Sequence, residues 1–260
     1  MSWVLLRGLT REARHWGALP GQIAVMLRRE FDAEQVLALD LPGNGAFRGQ
    51  ASPRSVRAMV DAARQQLRAQ GLAPPFSLLA MSLGGMVAAD WARQYPNEVA
   101  RLVLINTSLR AFSGVTERLR LRNWPRLALL AARWRDPAQA DSVERVIHQL
   151  TCNRAATREE DIAAWVSIRQ DAPVSAANAW RQLWAAAAFD GAAAPRCPVL
   201  VLSSQGDRLV NPRCSARLAS AWRAEHQQHP WAGHDLPHDD AQWLCQRLAD
   251  WLGGVDTLLF

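Results

Sequence analysis

The sequence contains no lysine and a single tyrosine. All thirty basic residues among its 260 are arginine, and the one tyrosine is Tyr95. The absence of lysine excludes Schiff-base chemistry on a lysine and a phosphate-binding loop of the Walker type. Tyr95 is the single candidate for acid catalysis by a tyrosine.

Cysteines are few and long apolar runs are missing. The four cysteines are scattered without a C-x-x-C pair, which favours free thiols in a reducing compartment over disulfides or zinc. No apolar stretch reaches the ~18 residues that a membrane span needs. No basic leader with a long apolar segment precedes the first apolar stretch, which begins at Trp3. We therefore expect a cytoplasmic protein without a transmembrane segment.

The positive charge is concentrated in one window. Residues 110–135 hold seven arginines and one acid, Glu117, so they account for the whole formal net charge of +6. Such a window predicts an acidic partner or substrate, or else a solvated helix face whose arginine stems cover apolar surface. The rest of the chain is close to neutral, and we expect no nucleic-acid partner.

Apolar strands and amphipathic helices alternate along most of the chain. The predicted strands are not of the alternating type, which favours a parallel sheet covered on both faces. We expect an α/β fold with a mostly parallel sheet of about six strands. The expected strands are 3–6, 35–39, 76–81, 100–105, 198–202 and 226–228, and the expected helices are 19–31, 56–70, 83–94, 212–223 and 240–252.

The alternation stops after Asn106. Residues 108–194 show no strand signal and are rich in alanine, arginine and tryptophan. We predict that this stretch is an all-helical cap inserted into a core formed by residues 1–107 and 195–260. In open α/β sheets ligands bind at the carboxyl edge of the strands, so a cap there would cover the site.

A serine stands between the apolar run that ends at Met81 and a helical pattern that begins at Leu83. Small residues lie two positions before Ser82 (Ala80) and two positions after it (Gly84). This A-x-S-x-G pattern predicts a nucleophile elbow, a turn so sharp that bulky neighbours would collide with the backbone. The alternative is an ordinary strand-to-helix turn with a capping serine.

Two further residues complete a catalytic pattern. Asp207 and His234 each follow a predicted strand, so they lie on the same sheet edge as Ser82. Serine as nucleophile, histidine as base and aspartate as orienting group form the constellation used for acyl transfer. The amides of Leu83 and Leu9 are the expected oxyanion-hole donors.

With these motifs the chain resembles the α/β-hydrolase fold family, in particular serine esterases with a helical cap. The resemblance spans the chain through Arg7-Gly8-Leu9, residues 40–45, residues 80–85 and the pairs Gly206-Asp207 and Gly233-His234. It implies no cofactor. The family usually has histidine where Arg7 stands, so we predict that Arg7 contacts an anionic substrate group, with His15 and Trp16 as further candidates. His15 is also a candidate for capping the next helix.

A metal site is not predicted. His234 and His238 are four residues apart and have Asp235 and Asp239 beside them, but Pro237 disfavours the regular helix that would align them. The expected metal and cofactor content is therefore none.

The sequence leaves three functional hypotheses open. The first is a serine hydrolase that cleaves small-molecule carboxylic esters through an acyl-enzyme. Pimeloyl-acyl-carrier-protein methyl esterases resemble this chain in fold and in arginines of the cap, so the second is a hydrolase of methyl esters or thioesters on an acidic carrier protein bound by residues 110–135. The third is a ligand sensor that keeps the triad and turns over slowly.

Overall fold

A six-stranded, fully parallel sheet forms the centre of the protein. The computed structural model describes residues 2–30 and 35–257. Within them the strand order is β2-β1-β3-β4-β5-β6, which confirms the predicted α/β architecture. The strands are β1 (Ser2–Leu6), β2 (Gln35–Leu39), β3 (Phe76–Met81), β4 (Val99–Ile105), β5 (Val199–Ser204) and β6 (Glu225–His229).

Eleven α-helices lie in the described part of the chain. None of them is long and apolar enough to cross a membrane. The helices are α1 (Leu19–Glu30), α2 (Val56–Ala69), α3 (Leu83–Gln94), α4 (Val115–Arg118), α5 (Trp124–Arg133), α6 (Ala140–Thr151), α7 (Arg158–Asp171), α8 (Ala176–Ala188), α9 (Arg213–Trp222), α10 (Leu236–Asp239) and α11 (Ala241–Thr257).

The sheet separates two large hydrophobic clusters. On one face α2 and α3 pack against β1, β3 and β4, and Trp91 and Val87 of α3 belong to this cluster. On the other face α1 and α11 pack with Leu27 and Trp251 against the same strands. Alternate residues of the central strands β1, β3, β4 and β5 lie on opposite faces, so both sets are mostly apolar. This double burial explains the near-continuous apolar runs in the sequence.

Five helices, α4 to α8, and no strand lie in residues 108–194, which we call the helical segment. Its own hydrophobic clusters are small, one around Leu130 and Val143 and one around Trp165. The predicted helix 19–31 ends at Glu30, and Phe31 lies outside the described residues. The four-residue helices α4 and α10 are too short to leave a periodic signal in the sequence.

Candidate active site

Ser82 occupies a strained turn between β3 and α3. Its φ of 54° and ψ of −118° lie outside the regions that residues with a side chain ordinarily adopt. The backbone N–H of Ser82 donates to the carbonyl of Ile105 at the end of β4, 3.0 Å away. Strain of this kind persists only where the surroundings hold it, and it occurs most often at functional sites.

The small neighbours of Ser82 have a steric reason. A Cβ atom added to Gly84 would overlap the carbonyl oxygens of Leu6 and Arg7, which come from the end of β1. A Cβ on Gly8 would lie 3.1 Å from the Cβ of Ser82, so the loop after β1 packs directly on the turn. The elbow and the loop that carries Leu9 are therefore held together by backbone contact.

Replacing Gly84 by alanine tests this packing. We expect Gly84→Ala to destabilise the protein by about 1–3 kcal/mol, because backbone must move to admit the methyl group. A shift of about 1 Å in the elbow would also cost activity by about 10²-fold. Urea unfolding and ester hydrolysis measure the two effects. Gly254→Ala is the matched control, since among the described residues no atom outside its own stretch of helix lies within 4 Å of its added Cβ; equal losses in both variants would contradict the steric account.

His234 and Asp207 are directly hydrogen-bonded to each other. His234 Nδ1 lies 2.7 Å from Asp207 Oδ2, and both side chains are buried. The other oxygen of Asp207 accepts the backbone N–H groups of Leu209 (2.8 Å) and Val210 (2.9 Å), which fixes the carboxylate. A carboxylate can only accept, so Nδ1 carries the proton and Nε2 is left as a proton acceptor.

A side chain that sequence reasoning missed joins the loops of this pair. The carboxamide of Asn106 bonds to Ser204, the last residue of β5, which precedes the loop 205–212 that carries Asp207 (the acid loop). It also bonds to the carbonyls of Gly233 and His234 in the loop 230–235 (the histidine loop). In the sequence Asn106 had marked only the end of a strand. Its φ of 45° is positive, a conformation that asparagine adopts more often than most residues. An asparagine directly after a predicted strand was therefore the one local signal.

Arg7 lies in a buried ion pair. Its two terminal nitrogens donate to the two oxygens of Asp235 at 3.1 and 2.6 Å, and its guanidinium lies 4.8 Å from the ring centroid of Trp16. Burial raises the pKa of Asp235, but the positive charges of Arg7 and His238 and the Arg7 hydrogen bonds outweigh it and lower the pKa to about 2. Arg7 also lines the cavity described below. Its charge is already neutralised, which argues against a free anion-binding role.

The Arg7–Asp235 pair makes stability depend on acidity. The folded-state pKa of Asp235 is below the ordinary 3.8, so its contribution is complete above about pH 4 and is lost as the pH falls towards 2. We expect a loss of ~2 kcal/mol from this group across that window. Urea unfolding between pH 7 and pH 2.5 measures it. Asp235→Asn should flatten this part of the profile, whereas Asp250→Asn, in the exposed pair with Arg247, should not.

His15 and Trp16 are buried and are not among the residues that line the cavity. His15 Nδ1 accepts the backbone N–H of Glu12 at 3.1 Å, so it caps the turn 13–16 to which it itself belongs. Burial, together with the charges of Arg11 and Arg7, lowers the pKa of His15 well below its usual range, so it is neutral. Substrate contact by His15 and Trp16 stays a prediction, and their placement argues against it.

A cavity of about 590 Å³ opens above Ser82 and His234. Its floor includes Gly8 and Leu9 from the loop after β1. Its walls are mostly apolar and come largely from the helical segment: Leu119, Trp124, Leu127, Leu130, Ala131, Trp134, Ile147, Leu150, Ala176, Ala179, Trp180 and Leu183. The helical segment contains five tryptophans. Trp124, Trp134 and Trp180 line the cavity, while Trp165 is buried in its own cluster.

Among the residues that the structure describes, no group of three histidine, cysteine or acidic side chains is arranged to hold a metal ion. Asp235 forms the ion pair with Arg7. Asp239 accepts the backbone N–H groups of Gly233 and Asn153 at 2.6 and 2.8 Å. His238 bonds to Asp161 and to the carbonyl of His15. The histidines and aspartates around Pro237 therefore join loops.

Six of the seven arginines in the basic window fall into two sets. Arg118 donates to the carbonyls of Ala186 and Ala187, and Arg133 donates to Ser142 Oγ. Four other arginines of the window have exposed side chains: Arg110, Arg122, Arg126 and Arg135. These four are free to meet an acidic surface, although Arg122 also approaches the carbonyl of Arg208 at 3.5 Å.

The family model of the α/β-hydrolase fold matches residues 26–241. A curated pimeloyl-[acyl-carrier protein] methyl ester esterase of Chromobacterium violaceum is 35% identical over 95 residues. That match spans 36% of this chain and 35% of the relative's length.

Solved structures share the fold. An esterase of Thermogutta terrifontis, solved with malate bound, superposes with a TM-score of 0.74 at 23% identity and covers 98% of this chain and 90% of its own. The enol-lactonase of Burkholderia xenovorans superposes with a TM-score of 0.76 at 18% identity, covering 97% of this chain and 91% of its own. At these identities the likeness establishes the fold alone.

Proposed function

Because the chain belongs to the α/β-hydrolase fold family, we propose that it is a serine hydrolase that cleaves carboxylic esters through an acyl-enzyme. One observation carries the proposal. The strained Ser82 lines the same cavity as His234, which is hydrogen-bonded to Asp207. A serine at this turn forms an acyl-enzyme, whereas an aspartate there would form an alkyl-enzyme, so the residue type favours acyl transfer to water. The free cysteines further fit a cytoplasmic location.

The proposed roles follow from the bonding of each group. His234 takes the proton of Ser82 Oγ through Nε2 as the oxygen attacks the ester carbonyl, and then gives that proton to the departing alcohol. Asp207 holds the imidazole in the required tautomer and stabilises the imidazolium. A water then attacks the acyl-enzyme with His234 as base, which releases the acid and restores Ser82.

The oxyanion of the tetrahedral intermediate needs donors beside Ser82. Leu83 is the first residue of α3, and the first N–H groups of a helix have no partner within it. The close approach of Gly8 to Ser82 supports Leu9 as the second donor, since Leu9 is next in that loop and lines the cavity. We propose these two amides as the oxyanion hole.

We further propose that the helical segment acts as a cap domain that sets substrate preference. Its side chains form most of the apolar wall above Ser82. An apolar wall stabilises a hydrocarbon acyl or alcohol group by removing it from water, at roughly 25 cal/mol per Å². The wall therefore favours medium-length apolar esters over acetate.

Steady-state hydrolysis of p-nitrophenyl esters of increasing acyl length tests the proposal. We expect repeated turnover and a rise in kcat/KM with length until the cavity is filled. No hydrolysis above background with any ester would contradict the ester-hydrolase function. A single burst equal to the enzyme concentration would favour the alternative of a triad-bearing ligand sensor.

The second candidate is hydrolysis of a methyl ester or thioester on an acyl carrier protein. It is favoured by the curated relative named above and by the four exposed arginines of the basic window. Salt separates the two candidates, because attraction between exposed charges weakens as ionic strength rises. A carrier-bound substrate should lose kcat/KM steeply between 50 and about 500 mM salt. A soluble p-nitrophenyl ester should not.

A further inference from the structure

Asn106 stands at the carboxyl end of β4, between the acid loop and the histidine loop. Its side chain is 2% exposed, and its backbone N–H donates to the carbonyl of Leu202 in β5 at 3.0 Å. The φ of 45° turns the chain out of the strand at this point. The backbone of Asn106 thus extends the sheet while its side chain reaches into the site.

The carboxamide of Asn106 bonds both to the residue before the acid loop and to the histidine loop. Its Oδ1 accepts the backbone N–H of Ser204, at the end of β5, at 2.9 Å. Its Nδ2 lies 3.0 Å from Ser204 Oγ, 3.2 Å from the carbonyl of Gly233 and 2.8 Å from the carbonyl of His234. Two N–H groups are therefore shared among three acceptors, two of which belong to the histidine loop.

The residues on either side of Asn106 contact the nucleophile turn. The carbonyl of Ile105 accepts the N–H of Ser82 at 3.0 Å, and Thr107 Oγ1 lies 3.4 Å from the carbonyl of Ser82. The end of β4 therefore contacts all three segments that carry Ser82, Asp207 and His234. A single rigid segment with these contacts can set the three relative to one another.

We propose that Asn106 is a positioning residue for His234. By donating to the carbonyl of His234 itself, it fixes the backbone of the histidine loop against the acid loop and so fixes the imidazole between Asp207 and Ser82. It acts through His234 and touches no substrate atom. The proposal rests on the serine-hydrolase function above, and its test includes a readout that needs no substrate.

The test is Asn106→Asp, which keeps the size of the side chain but replaces the donor with an acceptor. An aspartate would oppose the carbonyls of Gly233 and His234, so the histidine loop should move. We expect kcat to fall about 10²-fold with KM changed less than about threefold. The second readout is the downfield proton resonance of the His234 N–H bound to Asp207, assigned by its absence from His234→Gln. It should broaden or disappear in the variant.

Asn178→Asp is the matched control. Asn178 is also a buried asparagine, whose carboxamide bonds to the backbone of Gln50 and Ser52 at 2.9 Å each, and it does not line the cavity. We expect it to lower stability but to leave kcat and the resonance unchanged. If Asn106→Asp and Asn178→Asp lower stability alike and neither changes kcat nor the resonance, Asn106 is only structural and the proposal is overturned.

Asn106→Gly separates the loss of the side chain from the added charge. Glycine accepts a φ of 45°, so the backbone is kept while all four side-chain contacts are lost. The same fall in kcat and the same loss of the resonance support the proposal, and this variant decides the matter if Asn106→Asp does not fold. If the wild type hydrolyses no ester, the proposed function fails, while the resonance still reports whether Asn106 positions His234.

Discussion

Ser82→Ala should abolish ester hydrolysis while leaving the fold intact. The substitution removes the only atom proposed to form the acyl-enzyme, so we expect kcat to fall on the order of 10⁶-fold. Substrate binding should change little, because the apolar wall of the cavity is untouched. Steady-state kinetics with the preferred p-nitrophenyl ester measure the loss, and thermal unfolding checks the fold.

Ser215→Ala is the control for this prediction. Ser215 is another buried serine, and its hydroxyl donates to the carbonyl of Thr107 at 3.2 Å. Its loss should cost about 1 kcal/mol of stability and almost no activity. If Ser82→Ala keeps more than a hundredth of the wild-type kcat, another residue must be the nucleophile.

Arg7→Met should destabilise the protein more than any exposed charge substitution. The variant leaves the carboxylate of Asp235 buried without its partner, because both side chains of the pair are less than 5% exposed. Breaking a buried pair from one side costs about 3–5 kcal/mol, since the remaining charge has lost both water and its counter-ion. Urea unfolding at pH 7 measures the loss.

Two comparisons sharpen this prediction. Adding Asp235→Asn to Arg7→Met should recover part of the stability, because the unpaired charge is gone. Arg247→Met breaks an exposed pair with Asp250 and should cost no more than about 1 kcal/mol. A loss with Arg7→Met as small as with Arg247→Met would contradict the view that the buried charge of Asp235 needs Arg7 as its partner.

The sequence predicts the central strands of the sheet well because both of their faces are buried. The run 76–81 is apolar except at Ser77, and such a pattern distinguishes buried parallel strands from amphipathic ones. The parallel order then brings residues after the strand ends to one edge. Ser82, Asp207 and His234 could therefore be grouped before any coordinates were known.

Contacts between residues far apart in the sequence could not be predicted in the same way. Arg7 and Asp235 are separated by 228 positions, and the arginine alone suggested a substrate contact instead of an internal pair. The role proposed for Asn106 likewise depends on hydrogen bonds to Ser204 and His234, which are 98 and 128 positions away. Helical periodicity also gave no means of separating Trp180, which lines the cavity, from Trp184, which is exposed one turn later and does not.

Covalent labelling by an alkyl fluorophosphonate tests the central claim most directly. The reagent reacts with a serine only when a neighbouring base activates it and an oxyanion hole receives the developing charge. The account predicts one phosphonyl group per chain, located on Ser82 by peptide mass spectrometry, and no labelling of Ser82→Ala or His234→Gln. Absence of labelling in the wild type, or a label on another residue, would contradict it.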